Sequence, residues 1–242
     1  MRAACGVVSA QVVPRRPHRN GAFEAVQAQL LVDEQATKSA IRQALVDMVA
    51  ALQARAHKPG AERDVLVLFL AGHGLQFVGD PDLYFLNHDT DLNRMETGLS
   101  LTEVGEMLAV APAEVVVLID TCHAGMAGSG INRGLGPDEV ARRLQEVSER
   151  SMYVLSAARA DEIAQEGSTQ GHGVFTAALL ATLQSRRYLQ RGEDGRLSLS
   201  MASLMAGLQA EAPRITQALG KPPQTPVFRL FGDVLPLTIY RR

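Results

Sequence analysis

Apolar residues follow one another almost without a polar break at two places in the chain. The first run is Val65, Leu66, Val67, Leu68, Phe69 and Leu70, and the second is Val115, Val116, Val117, Leu118 and Ile119. Runs this short, lacking alternation and rich in β-branched residues, predict strands covered on both faces, as in a parallel sheet. Residues 152–156 predict a third strand of the same kind. Between the strands the period changes to that of a helix. Residues 38–56 carry an apolar stripe of Ile41, Leu45, Met48, Val49 and Leu52, with Thr37 as N-cap and Pro59 and Gly60 beyond the end. Ser100 starts a second helix to about residue 109, with Glu103 at the third helical position to complete a capping box. Helical patterning recurs over residues 138–150, 175–184 and 200–208, and short strands are predicted at 83–86 and 227–230. Residues 26–32 alternate at first as a partly exposed strand does. Residues 3–13 allow a strand, and Pro14 to Gly21 read as loop. The alternation of strands and helices predicts an α/β fold with a mostly parallel sheet and helices on both faces. Residues 1–25 are expected to form an irregular N-terminal segment and residues 26–242 a single domain.

Composition narrows the class. The 242 residues are 46% apolar, enough for a sizeable core, and the net charge of −2 offers nothing to a nucleic-acid backbone. With no Trp and 5% aromatics there is no stacking platform for single strands. The longest apolar runs fall far short of the roughly 20 residues of a membrane helix. The N-terminus reads as no signal peptide. Cys5 and Cys122 are too few for a disulfide scaffold, which points to a reducing, cytoplasmic setting.

The chemistry concentrates where the two apolar runs end. His73 stands between Gly72 and Gly74, and Cys122 follows Asp120 and Thr121. In parallel α/β sheets functional groups gather at the carboxyl ends of strands. If the two strands are neighbours, thiol and imidazole reach one crevice. A free thiol is only a few per cent thiolate at neutral pH, and an adjacent imidazole can take its proton or later protonate a leaving amine. The N–H groups of Gly74 and Cys122 are candidate oxyanion donors. A cysteine after an apolar strand is more often a buried hydrophobe; the pairing with a glycine-flanked histidine changes that balance. His123 lacks the further spaced ligands of a metal site. His57, His88 and His172 read as solvated.

These segments resemble the caspase-like cysteine peptidases (peptidase C14), and among them the bacterial metacaspase type. The caspase signature places its histidine about 50 residues before the cysteine, as with His73 and Cys122 here. The resemblance extends over residues 68–74, 84–91, 118–125, 155–158, 171–176 and 224–228. It implies a caspase-hemoglobinase fold and hydrolysis of peptide bonds through an acyl-enzyme on a His73/Cys122 dyad, with a polypeptide as substrate. Caspases that cut after aspartate carry glutamine two residues before the cysteine. This chain has Asp120 there, as metacaspases do, which implies an S1 pocket for Arg or Lys. Asp161 and Glu166 are expected to add to that pocket. Some metacaspases require calcium, so the resemblance leaves activation by Ca2+ open. Asp80, Asp82, Asp89 and Asp91 form a loose acidic set without EF-hand spacing, so the sequence itself requires no cofactor and names no metal ligands. Arg133, Arg142 and Arg143 lie where family members cut themselves.

The departure from the family lies at the start. An apolar strand and a helix normally precede the segment matching residues 26–32, and only 25 residues do so here. The first strand is therefore expected to be truncated or irregular, supplied by residues 3–13 if at all. Two other readings stay open: a catalytically impaired caspase-like interaction module, and a separase-like or CHAT-type protease with a narrow protein substrate. The sequence leaves oligomeric state unspecified.

Overall fold

The computed structural model describes residues 6–14, 23–57, 64–77, 80, 82–123, 131–132, 144, 152–158, 173–191, 195, 197–231 and 238–241. In chain order the strands are β1 (Gly6–Pro14), β2 (Phe23–Val32), β3 (Val65–Phe77), β4 (Tyr84–Leu86), β5 (Leu99–Ser100), β6 (Glu114–His123), β7 (Ile131–Asn132), β8 (Met152–Ser156), β9 (Gln190–Arg191), β10 (Leu197–Ser200), β11 (Val227–Phe231) and β12 (Thr238–Arg241). The helices are α1 (Lys38–Arg55), α2 (Leu101–Ala109), α3 (Val174–Gln184) and α4 (Met201–Ala218).

The main sheet has the order β11-β8-β6-β3-β1-β2. Its centre is parallel, β3 against β6 and β6 against β8, and its flanks are antiparallel. The sheet is thus mixed, with the expected parallel pairing confined to the middle. Crossovers with helices set the parallel strands, whereas the eight residues between β1 and β2 suit an antiparallel return. β1 occupies the stretch where the sequence allowed a strand. It pairs with β3 from Gly6 opposite Ala71 to Val12 opposite Val65, with an irregularity between Val13 and Pro14 in its ladder to β2. β2 is an outer strand and exposes Val26 and Leu30.

Period-2 alternation divides the sheet's side chains between two cores. Leu66, Leu68, Leu70, Val115, Val117, Ile119, Met152 and Val154 pack with α1 and α2 on one face. Val65, Val116, Leu118, Tyr153 and Leu155 pack with α3 and α4 on the other, with Val67 and Phe69 against them. The predicted α1 stripe is buried in full, and Thr37 caps the helix by accepting from the Ala40 N–H at 3.2 Å. Ser100 caps α2 through the Glu103 N–H at 3.1 Å. The Glu103 carboxylate meets Arg42 at 2.6 Å and Lys38 at 3.3 Å, tying α2 to α1. Of the helical pattern at 138–150, Leu144 is described; it is helical and buried.

Two elements outrun their expected ends. α4 continues ten residues past Leu208, through Pro213. A proline inside a helix costs about 3 kcal/mol, but Ala212 and Thr216 keep the buried stripe in phase, so packing overrides the breaker. β3 runs on through Phe77 because β4 pairs with it at His73, Gly74 and Leu75, and β7 at Gln76 and Phe77.

Candidate active site

β3 and β6 lie side by side in parallel, and their register decides what meets at the ends. Ala71 stands opposite Asp120, Gly72 opposite Thr121, His73 opposite Cys122 and Gly74 opposite His123. Neighbouring strands are about 4.8 Å apart, so the backbones at 73 and 122 are as close as two strands allow. Both residues were expected just past their strands. They lie inside them instead, because the ladder between β3 and β6 extends to Gly74 and His123.

The pleat settles which face each position takes. Val65, Val67 and Phe69 of β3 and Val116 and Leu118 of β6 belong to the α3/α4 face. Alternation carries that face to positions 71 and 73 on one strand and 120 and 122 on the other. Thr121 and Gly74 take the opposite face: Thr121 is buried, and a Cβ on Gly74 would lie 3.5 Å from its Oγ1. His73 is half-buried. Its Nδ1 is buried and has no hydrogen-bond partner among the described residues.

Asp120 reaches from β6 to the start of α3. Its Oδ2 accepts from the Thr176 N–H at 3.2 Å and from Thr176 Oγ1 at 2.5 Å. The N-cap of α3 is Gly173, which has no side chain to satisfy the helix's first N–H groups. A carboxylate from another strand fills that role, where the helix dipole also favours a negative charge. A Cβ at Gly173 would sit 3.2 Å from Asp120 Oδ2, so the glycine permits the close approach.

The acidic set beyond His73 is spent on local structure. Asp80 accepts from the Asp82 N–H at 2.9 Å and from the Tyr84 hydroxyl at 2.9 Å. Asp82 accepts from the Leu83 N–H at 2.9 Å, the Thr102 N–H at 3.3 Å and the Ser100 hydroxyl. Asp89 binds the Lys38 N–H at 2.8 Å and Asn87 at 2.7 Å. Burial opposes its ionisation, but these bonds outweigh it and hold the carboxyl below its usual range. Asp91 closes its own turn through Asn93. Among the described residues no three His, Cys, Asp or Glu side chains group for a metal.

The β3–β6 register thus aligns the backbones of His73 and Cys122, with Gly74 and Asp120 close by on the same two strands. Asp161, Glu166, Arg133, Arg142, Arg143 and His172 lie outside the described residues. His57 and His88 are exposed, as read from their polar neighbours. Thr176 and Gly173 fall in a segment that resembles the family but to which the sequence reading assigned no role. The available signal was a helix opening on glycine, whose donors need an acceptor from elsewhere.

Among the described residues no helix is long and apolar enough to cross a membrane. No curated protein matches the chain. A crystal structure of a protein from Geobacter sulfurreducens shares the fold, with a TM-score of 0.55 and 22% identity over 85% of this chain and 77% of that one. The profile of the caspase domain matches residues 20–213, which include both strand ends and the start of α3. By that match the chain belongs to the caspase-domain family of cysteine peptidases (peptidase C14), whose substrates are polypeptides.

Proposed function

We propose that the protein is a cysteine endopeptidase with Cys122 as nucleophile and His73 as its proton-transfer partner, cutting after Arg or Lys. The observation that carries this reading is the β3–β6 register, which pairs position 73 of one strand with position 122 of the next. His73 takes the thiol proton as the thiolate attacks the scissile carbonyl carbon. The imidazolium then protonates the departing amine, leaving a thioester on Cys122. Water, deprotonated by the same imidazole, releases the acid and restores the thiol. The N–H groups of Gly74 and Cys122 are the donors this reading assigns to the tetrahedral oxyanion. Asp120, two residues before the nucleophile on the same face, receives the P1 cation; a carboxylate there repels an aspartate at P1.

The test is a peptide library varied at P1, read with the wild type, Cys122→Ala, His73→Ala and Asp120→Ala. Hydrolysis after Arg and Lys is expected in the wild type and only background with Cys122→Ala. His73→Ala should lower kcat/KM by about 10²–10⁴-fold, the usual contribution of a general base. Asp120→Ala should remove the preference for basic residues. A wild type that favours aspartate at P1, or an Asp120→Ala variant that keeps the basic preference, refutes the pocket. Undiminished turnover by Cys122→Ala refutes the nucleophile.

A further inference from the structure

We infer that Thr176 is a positioning residue for basic-P1 selectivity: its N–H and Oγ1 hold the Asp120 carboxylate at the start of α3 in the orientation that receives a cationic side chain. The inference rests on Asp120 being the P1 acceptor proposed above. Three observations carry it further. Both Thr176 donors converge on one oxygen, Oδ2, at 3.2 and 2.5 Å. Two bonds to a single oxygen anchor it at the start of the helix. The second bond also does nothing for the helix. The hydroxyl is not among the orphan N–H donors of a helix start. It goes to a strand residue, so it serves the carboxylate. Finally, the cap of α3 also approaches the carboxylate, with a Cβ at Gly173 lying 3.2 Å from Oδ2 and 3.5 Å from Oδ1.

The location suits a substrate contact. Asp120 precedes Cys122 by two residues on the same face, about 7 Å along the strand. A P1 side chain whose carbonyl is at the thiol must cross about that distance, and the long stems of Arg and Lys do so. An unrestrained aspartate would lose part of its attraction to ordering itself on each encounter. Thr176 removes that cost beforehand, and so acts on substrate binding through Asp120 without touching the reacting atoms.

Two peptides differing only at P1, arginine against neutral citrulline, separate this role from a structural one. Thr176→Val keeps the N–H and the volume but removes the hydroxyl. KM for the arginine peptide should rise about tenfold with kcat within about threefold, as for loss of one charge-assisted hydrogen bond. Citrulline kinetics should not change. Thr176→Ser should restore the arginine KM to within about threefold of wild type. Gly173→Ala, which presses a methyl onto the carboxylate, should give the same KM-only loss on arginine. It also keeps the question answerable if the valine variant does not fold. Equal losses on both peptides would mean that Thr176 only supports the fold, and would overturn the inference. So would an unchanged arginine-to-citrulline ratio in Thr176→Val and Gly173→Ala beside a collapsed ratio in Asp120→Asn, which leaves Asp120 as the acceptor and Thr176 without a role. A wild type indifferent to the P1 charge overturns the pocket reading itself, and this inference with it.

Discussion

α3 presents Thr176 to Asp120 only if the helix itself is held in place, and Gly207 is where that support can be tested. A Cβ at Gly207 of α4 would lie 2.2 Å from Thr182 Cγ2, 2.9 Å from its Oγ1 and 3.1 Å from its Cβ on α3. Carbon atoms in contact prefer about 3.5–4.0 Å, so the shortfall exceeds an ångström. Thr182 cannot step aside. It is fully buried, β-branched, and its hydroxyl donates to the Ala178 carbonyl at 2.8 Å. Gly207→Ala therefore sets two effects against each other. The alanine gains about 1 kcal/mol of helix propensity. Overpacking costs about 1–3 kcal/mol and more where backbones must part, and here two helices must separate. The collision should win by about 1–2 kcal/mol, which in a chain of this size lowers Tm by roughly 2–8 °C. Thr182→Ala removes the two nearest atoms and leaves the Cβ at 3.1 Å, so adding Gly207→Ala to it should cost less than in the wild type, with a coupling of at least about 1 kcal/mol in the double-mutant cycle. Urea and thermal unfolding of the four proteins measure this. A Gly207→Ala protein as stable as wild type, or an additive cycle, would show that the α3–α4 contact is not set by these atoms.

Two further outcomes are expected elsewhere in the fold. Arg55 holds the fully buried Asp64 at 3.1 Å through Nε, with a second contact from Nη2 at 3.4 Å. Arg55→Met strands that carboxylate and should cost about 3 kcal/mol in urea unfolding. Arg42→Met, from a half-exposed pair whose Glu103 keeps Lys38, should cost under about 1 kcal/mol; equal effects would refute the distinction. Burial, followed by the hydrogen bond to Asp80 and its charge, pushes the Tyr84 phenol up to about 12. A raised phenol pKa adds stability that is complete below about 10 and lost as pH rises through about 12. Tyrosinate absorbance of wild type minus Tyr84→Phe, read after rapid pH jumps, should rise near pH 12, and a rise near 10 would contradict the burial argument.

How much of this was legible in the chain depends on the range of the interaction that decides each feature. α1 and the Thr37 and Ser100 caps are decided within a few residues, and the sequence carries them in full. The end of α4 is not. Pro213 argues for a stop, and only the burial of Ala212 and Thr216 against distant residues overrules it. The extents of β3 and β6 depend on distant residues in the same way, since glycines around a histidine suit a loop until β6 and β4 pair with them.

The site shows the same divide at finer grain. His73 and Cys122 could be named from residue type and spacing, yet their alignment could not, because alignment is a matter of register. A slip of β6 by one residue would set Thr121 or His123 opposite His73 and turn every β6 side chain to the wrong core. Val116 and Leu118 on the α3/α4 side, with Val115, Val117 and Ile119 on the other, forbid that slip. The apolar run that marks β6 as a buried strand is thus also what fixes positions 120 and 122 on the face of α3. The core therefore sets the geometry of the proposed dyad, and substitutions deep in β6 that loosen register should erode activity before they unfold the protein.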